Sequence, residues 1–344
     1  MQRRTFVTGA AAGLATLAFP QLLWAQALEK PKLTIAVGGK NLLYYLPLTI
    51  AESLGYFKAE GLEVTIADFA GGSRALQAVI GGSADVVSGA FEHTINMQVK
   101  GQRLRAFALQ GRAPQIVLGI NPKTMSGYKT IADLKGKKIG VTAPGSSTNV
   151  LANFVLGKAG LKPSDVSIIG VGAGSGAVAA MRSGQIDAMS NLDPVITLLL
   201  RSGDLKVVSD TRVVAEADKV FGGPMPAACL YAPQSFIDKN PATVQALTNA
   251  IVRADKWIQA AGASEIIKAV PESYLLGDRA VYVDAFLAAK GALSTDGMIP
   301  EAGAETARRA LASIDPEIAN GKIDLAAVWT NEFVKRANAK YPKG

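Results

Sequence analysis

The chain has 344 residues, 49% of them apolar and 19% charged, with a formal net charge of +8. That composition folds around a core and excludes a disordered polymer. Its single cysteine, Cys229, excludes an internal disulfide, and its single histidine, His93, excludes a multi-histidine metal centre; no metal or other cofactor is expected. The positive charge includes no Lys/Arg block longer than Lys137-Lys138, so it reads as a solvated surface and not as a nucleic-acid stripe.

Arg3-Arg4-Thr5-Phe6-Val7 heads an uncharged, alanine-rich run from Gly9 to Trp24, closed by Ala25-Gln26-Ala27. A basic start, an apolar middle and a small-x-small end, in that order, predict an export signal over residues 1–27. Paired arginines before Phe are similar to a twin-arginine (Tat) signal, with Sec export as the alternative. No other stretch reaches the ~18 apolar residues of a membrane span. The expected product is a soluble, monomeric periplasmic protein, and a prior of about 150 residues per domain suggests two domains.

Leu33–Val37 is a short β-branched run, and Leu46–Leu54 a helix stopped by Gly55. Strands are predicted at Glu63–Phe69, Asp85–Ser88 and Leu104–Leu109, and helices after Gly71-Gly72-Ser73 and from Glu92 to Lys100. The pattern recurs with strands at Lys138–Val141, Val166–Gly170, Asp187–Ser190 and Leu205–Val208. Between them lie helices at Ser147–Ala159, Ser175–Ser183 and Asp193–Ser202. Alternation of this kind argues for two α/β lobes with mostly parallel sheets. Even short words repeat: Gly72-Ser73 to Asp85-Val86 matches Gly174-Ser175 to Asp187-Ala188, each a helix start, a Gly stop and an Asp before a strand.

A last strand is predicted at Ala227–Tyr231. Helices follow, one opened by Asn240-Pro241 with Val244, Leu247, Ile251, Ala254 and Ile258 on one face, another from Ile323 to Ala339. The helical tail should return to the first lobe. That gives lobe I as residues 28–117 plus 228–344, lobe II as 118–227, and hinge crossings near Gln115–Pro122 and Gly222–Pro233.

Ligands of open α/β sheets bind beyond the carboxyl ends of the strands, so two facing lobes would pool those ends in one cleft. The candidate residues are Asn41, Tyr44, Tyr45, Gly72, Ser73, Ala90, Glu92 and His93 from lobe I. Ser146, Ser147, Thr148, Ser175, Asn191 and Asp193 come from lobe II. Ser146-Ser147-Thr148 offers three hydroxyls at a helix start, where free N–H groups favour an anion, or where they simply cap the helix. Glu92 and Asp193 suggest a ligand amine or ring N–H, although Asp193-Pro194 also reads as an ordinary cap. One of Tyr44 and Tyr45 could stack on an aromatic ligand while the other faces the core. No GxxxxGK[ST] or opening GxGxxG is present, so the fingerprints of nucleotide chemistry are missing.

LPLTIAESLGYFKAEGLEV (46–64), ADFAGGSRALQAVIGGSADV (67–86), TIADLKGKKIGVTAPGSST (130–148) and SGQIDAMSNLDP (183–194) form a set. It resembles the substrate-binding proteins of nitrate/sulfonate/taurine ABC importers, the NMT1/THI5-like or SsuA-like family. The resemblance implies an α/β, type II periplasmic binding fold: two lobes, two hinge strands and a closing cleft. It also implies a small anionic or zwitterionic ligand, an inner-membrane ABC permease as partner, and no catalysis. Two departures stand out. Asn191-Leu192 replaces the aromatic residue that sulfonate binders often carry before Asp-Pro. The Cys-rich segment of the pyrimidine-synthesising branch is absent. A periplasmic enzyme using Glu92 and His93 as an acid/base pair, or a sensory subunit, remains the alternative, with a pyrimidine-type ligand open to either.

Overall fold

The structure, a computed structural model, describes residues 27–343. The predicted export signal lies outside the described residues except for Ala27. Among the described residues no helix is long and apolar enough to cross a membrane.

The strands are β1 (Lys32–Val37), β2 (Glu63–Asp68), β3 (Val86–Ala90), β4 (Leu104–Leu109), β5 (Ile116–Ile120), β6 (Lys138–Val141), β7 (Ser167–Gly170), β8 (Ala188–Leu192), β9 (Lys206–Asp210) and β10 (Ala228–Pro233). They form two five-stranded sheets, ordered β2-β1-β3-β10-β4 and β7-β6-β8-β5-β9. Within each lobe the first three strands pair in parallel, with Lys32 opposite Glu63 in one and Lys138 opposite Ser167 in the other. The fourth position in each sheet is filled by the strand that has just arrived from the other lobe. It runs antiparallel to both neighbours: β10 between β3 and β4, β5 between β8 and β9. Two mixed α/β sheets linked in this manner are the periplasmic-binding fold expected from the sequence.

The crossings differ from the sequence reading. Ile116–Ile120 is not linker but an inner strand of the second sheet, so the chain passes over at residues 110–115. Buried on both faces, IVLGI has no polar alternation to announce it as a strand. Gly119 is required there, because a Cβ would stand 2.5 Å from Leu205. The return crossing begins after β9 and contains a helix, Val214–Phe221; Ala228–Pro233 already belongs to the first sheet. Thr211 ties the two crossings together. Its hydroxyl accepts from the Ile116 N–H at 2.9 Å and donates to the Ile116 carbonyl at 2.8 Å.

In the tail, helix Pro241–Ala260 buries Val244, Leu247, Ile251, Ala254 and Ile258, the face predicted from their spacing. The last helix begins at Glu332, not at Ile323. Tertiary bonds hold the missing turns open. Gln98 exchanges hydrogen bonds of 2.6 and 3.0 Å with the Asp324 backbone, and the Thr330 N–H donates to the Ala106 carbonyl at 2.8 Å.

Candidate ligand site between the lobes

The lobes meet at the carboxyl ends of their strands. The Ser73 N–H donates to Ser146 Oγ at 3.0 Å, Ser146 Oγ donates to Ser73 Oγ at 3.2 Å, and Ser73 Oγ donates to the Pro144 carbonyl at 2.9 Å. Asn41 Nδ2 reaches the Ala173 carbonyl at 2.9 Å, and the Leu43 N–H reaches the Asp193 carbonyl at 3.1 Å. Small residues make this approach possible. A Cβ on Gly71 would stand 2.7 Å from the Ala143 Cβ, and one on Gly39 2.6 Å from the Ala173 Cβ. Gly39 also has φ +98°, which L side chains rarely adopt. The seam is therefore closed, with backbone against backbone.

Behind it lies a narrow cavity with about 10 Å³ of free space, room for roughly one water. Lobe I contributes Tyr44 and Glu92, and lobe II contributes Ile116, Ser147, Val150 and Leu151. The crossings supply Pro114, Phe221, Met225 and Ala227. Glu92 opens helix Glu92–Gln98, and its residue is only 3% exposed. Burial pushes its carboxyl up to about 7, and no Lys or Arg lies near enough to oppose that. The Tyr44 hydroxyl is buried without a hydrogen-bond partner. Burial first, and then the charge of Glu92, push its phenol up.

His93 points elsewhere. Its Nδ1 is 2.8 Å from the Tyr231 hydroxyl. Burial pushes the ring down to about 4, against an opposing pull from the Gly145 backbone, so it is neutral at ordinary pH. It lines a second groove between the lobes, with the seam residues Ser73 and Pro144 and with Asn149 and Asn153.

The predicted residues thus divide. Tyr44, Glu92 and Ser147 share the cavity. Tyr45 stacks edge-on against Tyr44, with ring centroids 4.9 Å apart, and its hydroxyl lies beside Gly72. Ser73, Ser146 and Asn41 close the seam. Thr148 Oγ1 accepts from the Thr142 N–H at 3.1 Å, inside lobe II. Asn191 bonds the Gly172 carbonyl and the Leu192 N–H. Ala90 sits in the first sheet opposite Ala228, and Ser175 is exposed. The Asp193 carboxylate accepts from the Thr197 N–H at 2.8 Å and pairs with Arg212 at 3.3 Å.

At the helix start 146–148 the Ser146 N–H is taken by the Ala143 carbonyl at 3.1 Å, and among the described residues those of Ser147 and Thr148 have no acceptor; other strand-end N–H groups are taken. Asp68 accepts from Gly39 and Lys40, both at 2.9 Å, and Asn149 Oδ1 accepts from Gly145 at 3.0 Å. The sequence reading missed Pro114, Ile116, Phe221, Met225 and Ala227. Their one signal was position: all lie in or beside the crossings, which floor any two-lobe cleft.

The sequence profile of the NMT1/THI5 like family matches residues 43–262. A protein of solved structure from Bordetella bronchiseptica RB50 is 66% identical, with TM-score 0.91 over 92% of this chain and 100% of that one. The alkanesulfonate-binding protein SsuA from Xanthomonas axonopodis pv. citri, solved with MOPS bound, shares the fold. Its TM-score is 0.68 at 20% identity, over 88% of this chain and 99% of that one. A Brucella abortus (strain 2308) protein named only as a binding protein is 30% identical over 263 residues, 75% of this chain and 74% of its own. The 4-amino-5-hydroxymethyl-2-methylpyrimidine phosphate synthase of Schizosaccharomyces pombe is 28% identical over 156 residues, 45% of this chain and 43% of its own. On the profile match and the two-sheet architecture together, this chain belongs to the NMT1/THI5-like family and carries its periplasmic-binding fold.

Proposed function

We propose that the protein is the ligand-capturing component of an ABC importer. It is exported to the periplasm by its twin-arginine leader, closes two lobes over one small solute and presents the closed form to an inner-membrane permease. The observation that carries this reading is the seam: Ser73 and Ser146 join across it, glycines let the backbones touch, and a narrow cavity lined from both lobes lies behind them. A receptor that works by hinge closure needs these parts and no reactive group.

The chemistry of the cleft supports a non-catalytic role. Glu92 and His93, the candidate acid/base pair, face different spaces, and His93 is engaged by Tyr231. The Cys229 thiol is buried and pushed up by that burial, the opposite of an activated nucleophile.

Small-angle scattering tests the closure. The wild-type radius of gyration should shrink when a bound solute is added. In Gly71→Leu the new side chain meets Ala143 before the seam can form. That variant should stay expanded and bind at least about tenfold more weakly, since closure supplies part of the affinity. Equal radii for both proteins, with and without solute, would mean that the lobes do not move.

A further inference from the structure

We infer that the interlobe cavity takes its solute through a protonated nitrogen group, an ammonium, an amidinium or a protonated ring N–H, seated on Glu92. The inference rests on the receptor reading above and specifies what that receptor captures.

Four observations lead to it. The chain carries 36 Lys and Arg residues, yet none lines the cavity. An anion buried there would meet a carboxylate and no opposite charge. Among the described residues Glu92 has no hydrogen-bonding or ionic partner on another residue, although it is almost wholly buried. Buried carboxyl groups are costly unless paired, so a lone one in a cleft favours a donor carried by the solute. The Tyr44 hydroxyl, from a residue lining the same space, is also unpartnered, so the ligand meets a carboxylate and a phenol together. At the strand ends the N–H groups of Gly39, Lys40, Gly145 and Ser73 are spent on Asp68, Asn149 and Ser146, and that of Ser146 on the Ala143 carbonyl, which leaves those of Ser147 and Thr148 for a polar atom of the solute.

The remaining lining sets the shape of the solute. Pro114, Ile116, Val150, Leu151, Phe221 and Met225 form an apolar wall, and Phe221 is itself stacked on Phe154, with ring centroids 4.8 Å apart and planes inclined by 24°. The free space against Glu92 is about 10 Å³, room for a group the size of one water such as an ammonium or a single N–H, so only the nitrogen group of the solute seats there in this closed form. Ser147, from the other lobe, also lines the space and offers a hydroxyl for a second polar atom of the solute. The ionisable groups that sense Glu92 are the phenols of Tyr44, Tyr45 and Tyr231 and the thiol of Cys229, and burial pushes all four up. They are neutral through the ordinary range, so Glu92 is the group in the cavity that changes charge near neutrality.

The test is titration calorimetry of the purified protein with two matched series. The bases are benzamidine, 4-aminopyridine and 4-aminopyrimidine; the anions are benzenesulfonate, methanesulfonate and nitrate. At least one base should bind, and Glu92→Gln should weaken it at least tenfold, with Tyr44→Phe weakening it less. Benzamidine stays cationic, so its affinity in the wild type should fall about tenfold from pH 8 to pH 6 as Glu92 takes up a proton. In Glu92→Gln it should be flat over that range, a readout that a merely structural role for Glu92 would not give. Binding by the anions alone, unchanged or strengthened in Glu92→Gln, overturns the inference and leaves the receptor reading standing. Failure of every base overturns it as well. Failure of both series, with no compaction in scattering, removes the receptor reading too.

Discussion

The two lobes repeat one plan, and they part company at one carboxylate. Asp85 and Asp187 occupy the same place in each, just before the third strand. Asp85 Oδ2 accepts from the Thr34 N–H at 2.9 Å while its own N–H donates to the Thr34 carbonyl at 2.9 Å. Asp187 repeats this with Lys138, at 3.0 and 2.8 Å. Immediately beyond that strand each lobe buries a second acid, Glu92 in the first and Asp193 in the second. Burial pushes both up. Asp193 has its counter-ion inside the protein, in Arg212, and the Thr197 N–H besides. Glu92 has neither. The same position is thus structural in one lobe and open in the other, and the difference lies in the partner and not in the acid.

Removing that partner should produce the largest effect. Arg212→Leu leaves Asp193 buried and uncompensated, and it frees Asp210, which Arg212 holds at 2.6 Å. Breaking a buried ion pair from one side costs roughly 3–5 kcal/mol, and because Arg212 keeps some solvent exposure we expect about 3 kcal/mol here. Urea unfolding measures it. A loss below about 1 kcal/mol would place Asp193 in the same unsupported condition as Glu92 and dissolve the contrast.

Glu92 should respond in the opposite sense. Its carboxyl is raised in the folded state from 4.5 to about 7. The folded protein therefore holds the proton more tightly than the unfolded chain. Stability is full below about pH 4.5, falls as pH rises through that window, and is lowest above about 7. Glu92→Gln removes this loss. At pH 8 the variant should be more stable than the wild type by about 1–3 kcal/mol, and near pH 4 the two should converge. Thermal unfolding across that range decides it. A parallel pH course in both proteins would mean that Glu92 has a partner after all. The gain in stability set against a loss of ligand is the usual mark of a residue kept for binding.

How far the sequence shows this contrast depends on where each signal lies. The α/β alternation, the Gly stops and the twin Asp words are local, so the lobes and most strand limits can be read directly. Glu92 was legible as a strand-end acid, and so was Asp193, but nothing beside either told them apart. Arg212 stands 19 residues from Asp193, beyond β9. The floor of the cavity was hidden for a related reason. Ile116 looks like linker until β8 and β9 flank it, and Phe221 and Met225 become lining only when the return crossing folds under the cleft. The hydroxyls at 146–148 were legible as a group. Their division into a seam contact (Ser146), a cavity wall (Ser147) and an internal tie to Thr142 (Thr148) depends on which atoms either lobe brings near.

The smallest expected effect is the most demanding test of the shared plan. Asp85→Ala and Asp187→Ala each remove one charge-assisted bond to a backbone N–H, at Thr34 and Lys138. Each should cost about 1.5 kcal/mol, since a hydrogen bond to a charged group is worth roughly 1.5–3 and both side chains keep some contact with water. Asp85 also pairs with Lys30 at 2.6 Å, but Lys30 is 43% exposed, so that ion pair adds only a few tenths. The two losses should therefore agree within about 0.5 kcal/mol, with ligand affinity unchanged in both. Two equal losses would locate the lobes' likeness in their strand-entry chemistry, and leave Glu92 as the point where they diverge. A gap above about 1 kcal/mol, or a change in affinity in one variant only, would show that the repeated words hide different wiring.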